Sequence, residues 1–421
     1  MKVQIAFDFH DLFVDARTAW IKAFRQLFDK DEIERDYNLG ISKRTICEKY
    51  GLSFGEVESI YREYLQPIMD NIKFAQMLGE WYPLDLVSLS EGRRLDKDID
   101  KFGLRPLFAH IYSREVVDNR ESFLNRYTAL GDWVIFFNHE YHEIRRQGRV
   151  VYMPISFQGD PSAFQSVSFT EHARKKMLYN QLSRYYMQAI ANDTRKETQF
   201  IETVFKMHLD NYHRKVLDCC CGVGRHDYLL AKDGYSVTGI DISPSQIQIA
   251  QQIHAHENVQ YLVMDVRSID LEETFDLIIC MWTTYNYLSQ DYDLRNFIRS
   301  CWLHQKKGDI LILDAKNIPS LVKRRVYKRN SRDKAHRVNM ELIVHKRILG
   351  QIQNSQYFYF IEDNGHQEFY FDEEFVRFYS KDEMESLVKG YYEISAIYGD
   401  FDLGKYEEEK SERFILVLCR I

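Results

Sequence analysis

The sequence predicts an α/β protein of two doubly wound, Rossmann-like domains, the second with an added antiparallel β insertion. Three observations carry this. Short apolar runs alternate with helical periodicity in two separate series, as parallel sheets with crossover helices require. Between the series, the stretch SFQGDPSAFQSVS (Ser156–Ser168) breaks both patterns at Gly159, Asp160 and Pro161. After the second series, a long segment alternates apolar and polar residues around Asp363-Asn364-Gly365, a hairpin signal.

The first strand is expected in KVQIAFDF (Lys2–Phe9), followed by helical spacing over Ala16–Phe28. Helices are expected at Lys43–Tyr50 and Phe54–Leu65, then a buried strand in PLDLVSLS (Pro83–Ser90) and a helix near Arg94–Phe102. The strands AHIYS, DWVIFFN and RVVYMPI complete the series at Ile155. The second series has five apolar runs: KVLDCC, SVTGID, VQYLVMD, FDLIICMW and GDILILDA, each followed by helix-like sequence. The boundaries that follow are 1–155 for the first domain, 156–177 for a linker and 178–421 for the second.

With 45% hydrophobic and 28% charged residues over 421 positions, the chain has ample material for two cores. A net charge of −7 gives no global field toward nucleic acid or anionic membrane. No apolar run nears the ~18 residues of a membrane helix, and MKVQIAFDFHDLF does not read as a signal peptide. Seven cysteines, an odd number, fit free thiols in a reducing cytoplasm.

Three of those cysteines sit together in VLDCCCGVGRH (Val216–His226). Neighbours on an extended strand point to opposite sides, so Cys219, Cys220 and Cys221 cannot converge on one ion, and no second cysteine cluster exists. No metal site is expected. The glycines explain the stretch better. Gly222 and Gly224 stand where a buried strand turns into a helix, leaving room for close backbone approach and free N–H groups. Asp241 ends the second strand, where a carboxylate meets a ribose diol, and Asp265 ends the third, within reach of an adenine.

On these residues the chain resembles the class I S-adenosylmethionine-dependent methyltransferases over Leu178–Ile421. RFYS (Arg377–Ser380), YGDFD (Tyr398–Asp402) and SERFILVLCR (Ser411–Arg420) look like the family's small-molecule branch. The resemblance implies S-adenosylmethionine as cofactor, held by Tyr186, Asp218, Cys219, Gly222, Gly224, Asp241, Ile242, Asp265, Val266 and Met281. Tyr185, Tyr186, Trp282, Tyr285 and Asn286 would overhang the cofactor, and Tyr285, His345 and Arg377 are the catalytic candidates. The run CMWTTYNYL lacks the Asn/Asp-Pro-Pro-aromatic motif of base-modifying relatives, so a small metabolite is the expected acceptor, at nitrogen or oxygen. The basic stretch Val322–Arg337 keeps RNA as the less favoured acceptor, with a solvated surface as its plain reading. The late strands suit a lid or a homodimer interface.

The first half resembles the haloacid dehalogenase-like hydrolases, with its chemistry altered. In FDFHDLFVDA, Asp8 aligns with the family's nucleophile, but His10 replaces the acid and Asp11-Leu12 the glycine-threonine pair. Ser88 matches the phosphate-binding position, and Arg120 is the substitute for the missing lysine. In VIFFNHEYHEI, where Mg²⁺ would be held, Asn138 replaces the first acid and leaves Glu140 and Glu143. Losing acid, cation and metal ligand together removes most of what phosphoryl transfer needs. The expectation is a degenerate domain with a structural or substrate-binding role. The rival readings are a bifunctional phosphatase–methyltransferase and a non-catalytic cofactor-binding partner module.

Overall fold

The computed structural model describes residues 3–28, 31–39, 41–80, 82–117, 119–128, 133–138, 145–154, 176–189, 194–209, 214–319, 326–333 and 337–421. The chain divides into two compact units, Met1–Gly159 and Asp160–Ile421. The expected linker lies almost wholly outside the described residues, as do Glu140 and Glu143.

The first unit is built on β1 (Val3–Phe7), β2 (Leu84–Val87), β3 (His110–Tyr112), β4 (Trp133–Asn138), β5 (Arg145–Gln147) and β6 (Val150–Pro154). Its sheet order is β3-β2-β1-β4-β6-β5, parallel apart from β5. Strand order reverses about β1, so the crevice at its carboxyl end is where such a sheet binds ligands. Four helices, Ala16–Leu27, Asp31–Asn38, Lys43–Tyr50 and Phe54–Tyr64, intervene between β1 and the helix Met69–Gly79 that leads to β2. Ser42 and Asp15 cap two of them through their side chains. Trp20 stacks on Tyr61 with ring centroids 4.3 Å apart, joining the first and fourth of these helices. The helices Asp31–Asn38, Met69–Gly79 and Arg120–Thr128 escaped the sequence reading.

The second unit contains β7 (Lys215–Cys219), β8 (Ser236–Asp241), β9 (Val259–Val263), β10 (Leu277–Cys280) and β11 (Ile310–Lys316). These join β16 (Tyr392–Tyr398) and β17 (Arg413–Arg420) in the order β16-β17-β11-β10-β7-β8-β9, with β17 antiparallel to both its neighbours. The strands are apolar on both faces because both are covered. Leu217, Ile278, Leu311 and Leu416 pack with the helices Asp291–Leu303 and Lys381–Val388; Val216, Ile279, Ile312 and Val417 pack with Thr194–His208 and Arg225–Lys232. Burying one such side chain stabilises by roughly 1.5–3 kcal/mol, which fixes the strand ends that form the site.

Between β11 and β16 the chain makes a separate sheet from β12 (Val326–Asp333), β13 (Val338–Leu349), β14 (Ile352–Asp363) and β15 (His366–Arg377), antiparallel in chain order. The predicted hairpin closes at Asn364 (φ 50°) and Gly365 (φ 84°), the pair of left-handed residues of a two-residue turn. The basic stretch contributes the edge strand β12, whose Lys328 pairs with Glu341 across the ladder at 2.8 Å.

Candidate functional site

The second unit's strand order reverses between β8 and β10 about β7, and the glycine loop leaves the carboxyl end of β7 there. The strand stops at Cys219; Cys220 already has φ 64°, earlier than the extended geometry assumed from sequence. Cys219 lies beside Cys301 and Cys220 beside Cys280, and these contacts with burial push both thiols up, so they stay protonated. All seven cysteines are free, and among the described residues no three His, Cys, Asp or Glu side chains converge as metal ligands.

Gly222 (φ 57°) and Gly224 (φ 75°) both take left-handed conformations. A Cβ on Gly224 would come within 2.2 Å of the Tyr261 hydroxyl, so only glycine fits there. Beneath the loop, Asp241 accepts from Gly222 N at 3.0 Å and from Ser243 N at 2.8 Å. Burial pushes its carboxyl up to about 6 despite those two donors. Asp218 and Asp227 form a second acidic pair; burial raises both, Asp227 to about 7, and Asp218 Oδ2 has no donor from the described residues. Three enclosed carboxyls around a glycine turn make a cradle that favours hydroxyl and cationic partners.

The segment 176–189 covers this loop. The Tyr186 hydroxyl lies 3.8 Å from where a Gly222 Cβ would stand, and the Tyr179 carbonyl accepts from Ser243 Oγ. Tyr179 also reaches Tyr287, hydroxyl to hydroxyl, at 3.1 Å, and Tyr287 donates to Glu374 on β15. Glu374 further accepts from Lys176 and Tyr357, and although burial opposes ionisation, these partners hold it down to about 2. On the same sheet face stands Lys346, its ammonium pushed down to about 8 by burial and by Lys316. A third network lies by the helix after the loop: Glu197 meets both His226 Nε2 and Trp282 Nε1 at 2.8 Å. Trp282 and Thr283 are consecutive left-handed residues (φ 69° and 65°), their N–H groups held by Asp314.

The three catalytic candidates do not share a site. Tyr285 is 1% exposed in the apolar core, and burial pushes its phenol well up, so it keeps its proton. His345 sits one residue from Lys346 on β13 and so faces the other side of the sheet, near Gln356. Arg377 is tied to Asp291 and Glu383, each at 2.7 Å. Asn286 donates to the Arg377 carbonyl and Tyr185 to Asp363 at 2.7 Å, both structural uses. Cys219, Val266 and Met281 are core beneath the loop, and Ile242 packs against it. Asp265 is bound by Arg267 at 2.7 Å, whose hydrogen bonds outweigh burial and lower its carboxyl. The residues missed were Tyr179, Tyr287, Lys176, Lys346, Glu374 and Glu197. The alternation in EFYFDEEF puts Asp372 and Glu374 on one face with Tyr370, opposite Phe369, Phe371 and Phe375.

With this geometry in place, residues 216–308 match a family described as a methyltransferase domain. The matched stretch, β7 to the turn before β11, holds the glycine loop and Asp241. A putative methyltransferase, YqeM, of Bacillus subtilis is 31% identical over 102 residues, 24% of this chain and 41% of the relative. A dTDP-4-amino-2,3,4,6-tetradeoxy-D-glucose N,N-dimethyltransferase of Saccharopolyspora spinosa is 30% identical over 101 residues, 24% of this chain and 40% of that protein. The chain thus spans under half the length of these curated relatives. The fold is similar to that of the sugar N-methyltransferase KedS8 from Streptoalloteichus sp., with TM-score 0.50 and 15% identity over 56% of this chain and 92% of that one.

In the first unit, the residues singled out from the sequence lie at the ends of β1, β2 and β4. Asp8 follows β1, Ser88 follows β2 and Asn138 ends β4. Arg120 Nη2 lies 2.6 Å from Asp8 Oδ2, so the substitute cation is directly on the aligned carboxylate. Leu12 is core and Asp11 accepts from Arg17 N at 2.6 Å, so the replaced pair shapes the turn. His10 turns to Asp98 and Ser90 instead of the Asp8 carboxylate.

Proposed function

We propose that the second unit is an S-adenosylmethionine-dependent methyltransferase that modifies the nitrogen or oxygen of a small molecule. The observation that carries this is the left-handed glycine turn whose Gly222 N–H is tied to Asp241, an enclosed acceptor of hydroxyl donors. The residues present fit the cofactor. Asp241 would accept from the ribose hydroxyls, Gly222 and Gly224 would admit close approach, and Tyr186 and Tyr179 would offer ring faces and exclude water. Asp218, Ile242, Asp265 and Val266 complete the set that this reading assigns to the cofactor. Asp265, already bound to Arg267, would act through its backbone neighbourhood. When bound, the cofactor supplies an electrophilic methyl on a positively charged sulfur.

The chain's own work is then positioning. Glu374, ionised and fixed by Lys176, Tyr287 and Tyr357, anchors a cationic or hydroxyl-bearing acceptor beneath Tyr287. Lys346 is the group on that wall able to take up a proton near neutral pH, which an ammonium or hydroxyl acceptor must lose first. The amino-sugar enzymes among the relatives favour an amine acceptor. For the first unit we infer a structural or substrate-binding role in this reaction, since Arg120 occupies the Asp8 carboxylate. Incubation with methyl-deuterated S-adenosylmethionine and a metabolite extract tests the reading by mass spectrometry of labelled ions. Asp241→Ala is expected to weaken cofactor binding by about 10–100-fold, the worth of hydrogen bonds to a charged group. Unchanged affinity refutes the site.

A further inference from the structure

We propose that Ser90, His10 and Asp98 of the first unit form a second catalytic site, a serine acyl-hydrolase centre for an ester or thioester whose acyl part is anionic. His10 Nε2 lies 2.9 Å from Asp98 Oδ2, and His10 Nδ1 lies 2.9 Å from Ser90 Oγ. The three residues come from separate places: the turn after β1, the turn after β2 and the helix Gly92–Lys101. Asp98 is 0% exposed and also accepts from the Tyr61 hydroxyl at 3.2 Å, so its position is set from two sides. An ionised carboxylate only accepts, so it assigns a proton to Nε2 and leaves the Nδ1 lone pair for the Ser90 hydroxyl. A hydroxyl, an imidazole and a buried carboxylate in line are an activated nucleophile wherever they occur, recognised by geometry and not by chain order.

The surroundings support the assignment. The site lies at the carboxyl ends of β1 and β2, beside the strand-order reversal. Asp8 is engaged by Arg120 and does not compete for His10. Arg94 Nη2 stands 3.5 Å from Ser90 Oγ, and Arg94 Nε is sealed from solvent with no acceptor among the described residues. A guanidinium beside the nucleophile with an unused buried donor calls for an anionic acyl group.

The step balances without a further reactant than water. Ser90 Oγ bonds to the acyl carbon while its proton passes to His10 Nδ1, and Arg94 faces the oxyanion that forms. The bond from acyl carbon to the leaving oxygen or sulfur breaks, and that atom takes the proton from His10. Water, giving a proton to His10, then attacks the acyl-Ser90 ester; the acid departs and the proton returns to Ser90.

The test uses the full chain. A fluorophosphonate probe is expected to add once, at Ser90 by peptide mapping, and not to Ser90→Ala. His10→Gln is expected to slow the labelling about 100-fold or more, the usual contribution of a general base. p-Nitrophenyl hemisuccinate should be cleaved about tenfold faster than p-nitrophenyl acetate, with Arg94→Gln erasing the difference. No adduct on Ser90 overturns the proposal, as does an unchanged labelling rate in a His10→Gln protein whose circular dichroism matches the parent. Equal cleavage of the two esters overturns the anionic-acyl assignment.

Discussion

Gly224→Ala separates two costs that glycine avoids in the loop after β7. Gly224 has φ 75°, so an alanine pays about 1–2 kcal/mol in left-handed backbone conformation alone. Its Cβ would also stand 2.2 Å from the Tyr261 hydroxyl, 2.5 Å from Cζ and 2.6 Å from Cε1. Tyr261 cannot swing away freely: it is 6% exposed, packs on Ile247 and Ala250, and donates to the His254 carbonyl at 3.1 Å. Overpacking of this kind costs a further ~1–3 kcal/mol, for a total of roughly 2–5 kcal/mol. Gly390 supplies the control, with φ 86° and nothing within 4 Å of its Cβ position, so Gly390→Ala carries the backbone cost without the clash. Denaturant-dependent hydrogen exchange over β7–β9 and over β16 reads each change within the second unit. Equal losses for the two variants would refute the argument that the loop's approach to Tyr261, and not the dihedral alone, requires glycine.

Cofactor affinity should rise between pH 5 and pH 7 and then level off, because hydroxyl donors bind the ionised Asp241 whose carboxyl titrates at about 6; calorimetric titrations of the parent and a flat profile in Asp241→Asn check this. Asp227 has a raised folded value of about 7 against 3.8 unfolded, so its contribution favours the fold at low pH and is lost as pH rises through 7. Asp227→Asn is therefore expected to stabilise the cofactor-free protein at pH 8 by ~1–3 kcal/mol, read by urea unfolding, and to have no such effect at pH 4. Arg413→Met leaves Asp314, 0% exposed, without the guanidinium that grips both its oxygens; a loss of about 3–5 kcal/mol is expected in thermal unfolding.

Residues whose place is set within one strand and its turn were legible in the sequence. Asp241 and Gly222 are such residues: both sit at strand ends that periodicity locates, and the structure brings them within 3.0 Å. The asparagine-glycine turn at 364–365 was legible for the same reason. The cluster around Glu374 was not, because Lys176 and Glu374 lie 198 positions apart and meet only through the tertiary fold. His345 was weighed without the parity of β13, which puts it on the face opposite Lys346 and Glu374. Tyr285 misled because its depth depends on packing from Leu288, Phe297 and Tyr379, none of which a local pattern reports. The Ser90–His10–Asp98 line was missed because each member belongs to a different element, and His10 looked like a loss when judged only against the residue it replaces.

The two-residue turn at Asn364–Gly365 has a reach well beyond its size. It joins β14 to β15 in a single unbroken register, from Asp363 opposite His366 to Ile352 opposite Arg377. Glu374 lies nine positions past Gly365, some 30 Å along an extended strand, yet which side it faces is decided at the turn. One inserted residue there, with the two-residue turn kept, would exchange the odd and even positions of β15, sending Glu374 to the phenylalanine side and putting Glu373 opposite Ser355 and Phe371 opposite Tyr357, where Glu374 and Asp372 now stand. The turn works as the phase setting of the whole wall, and length variation at this hairpin is a change of chemistry, not of loop.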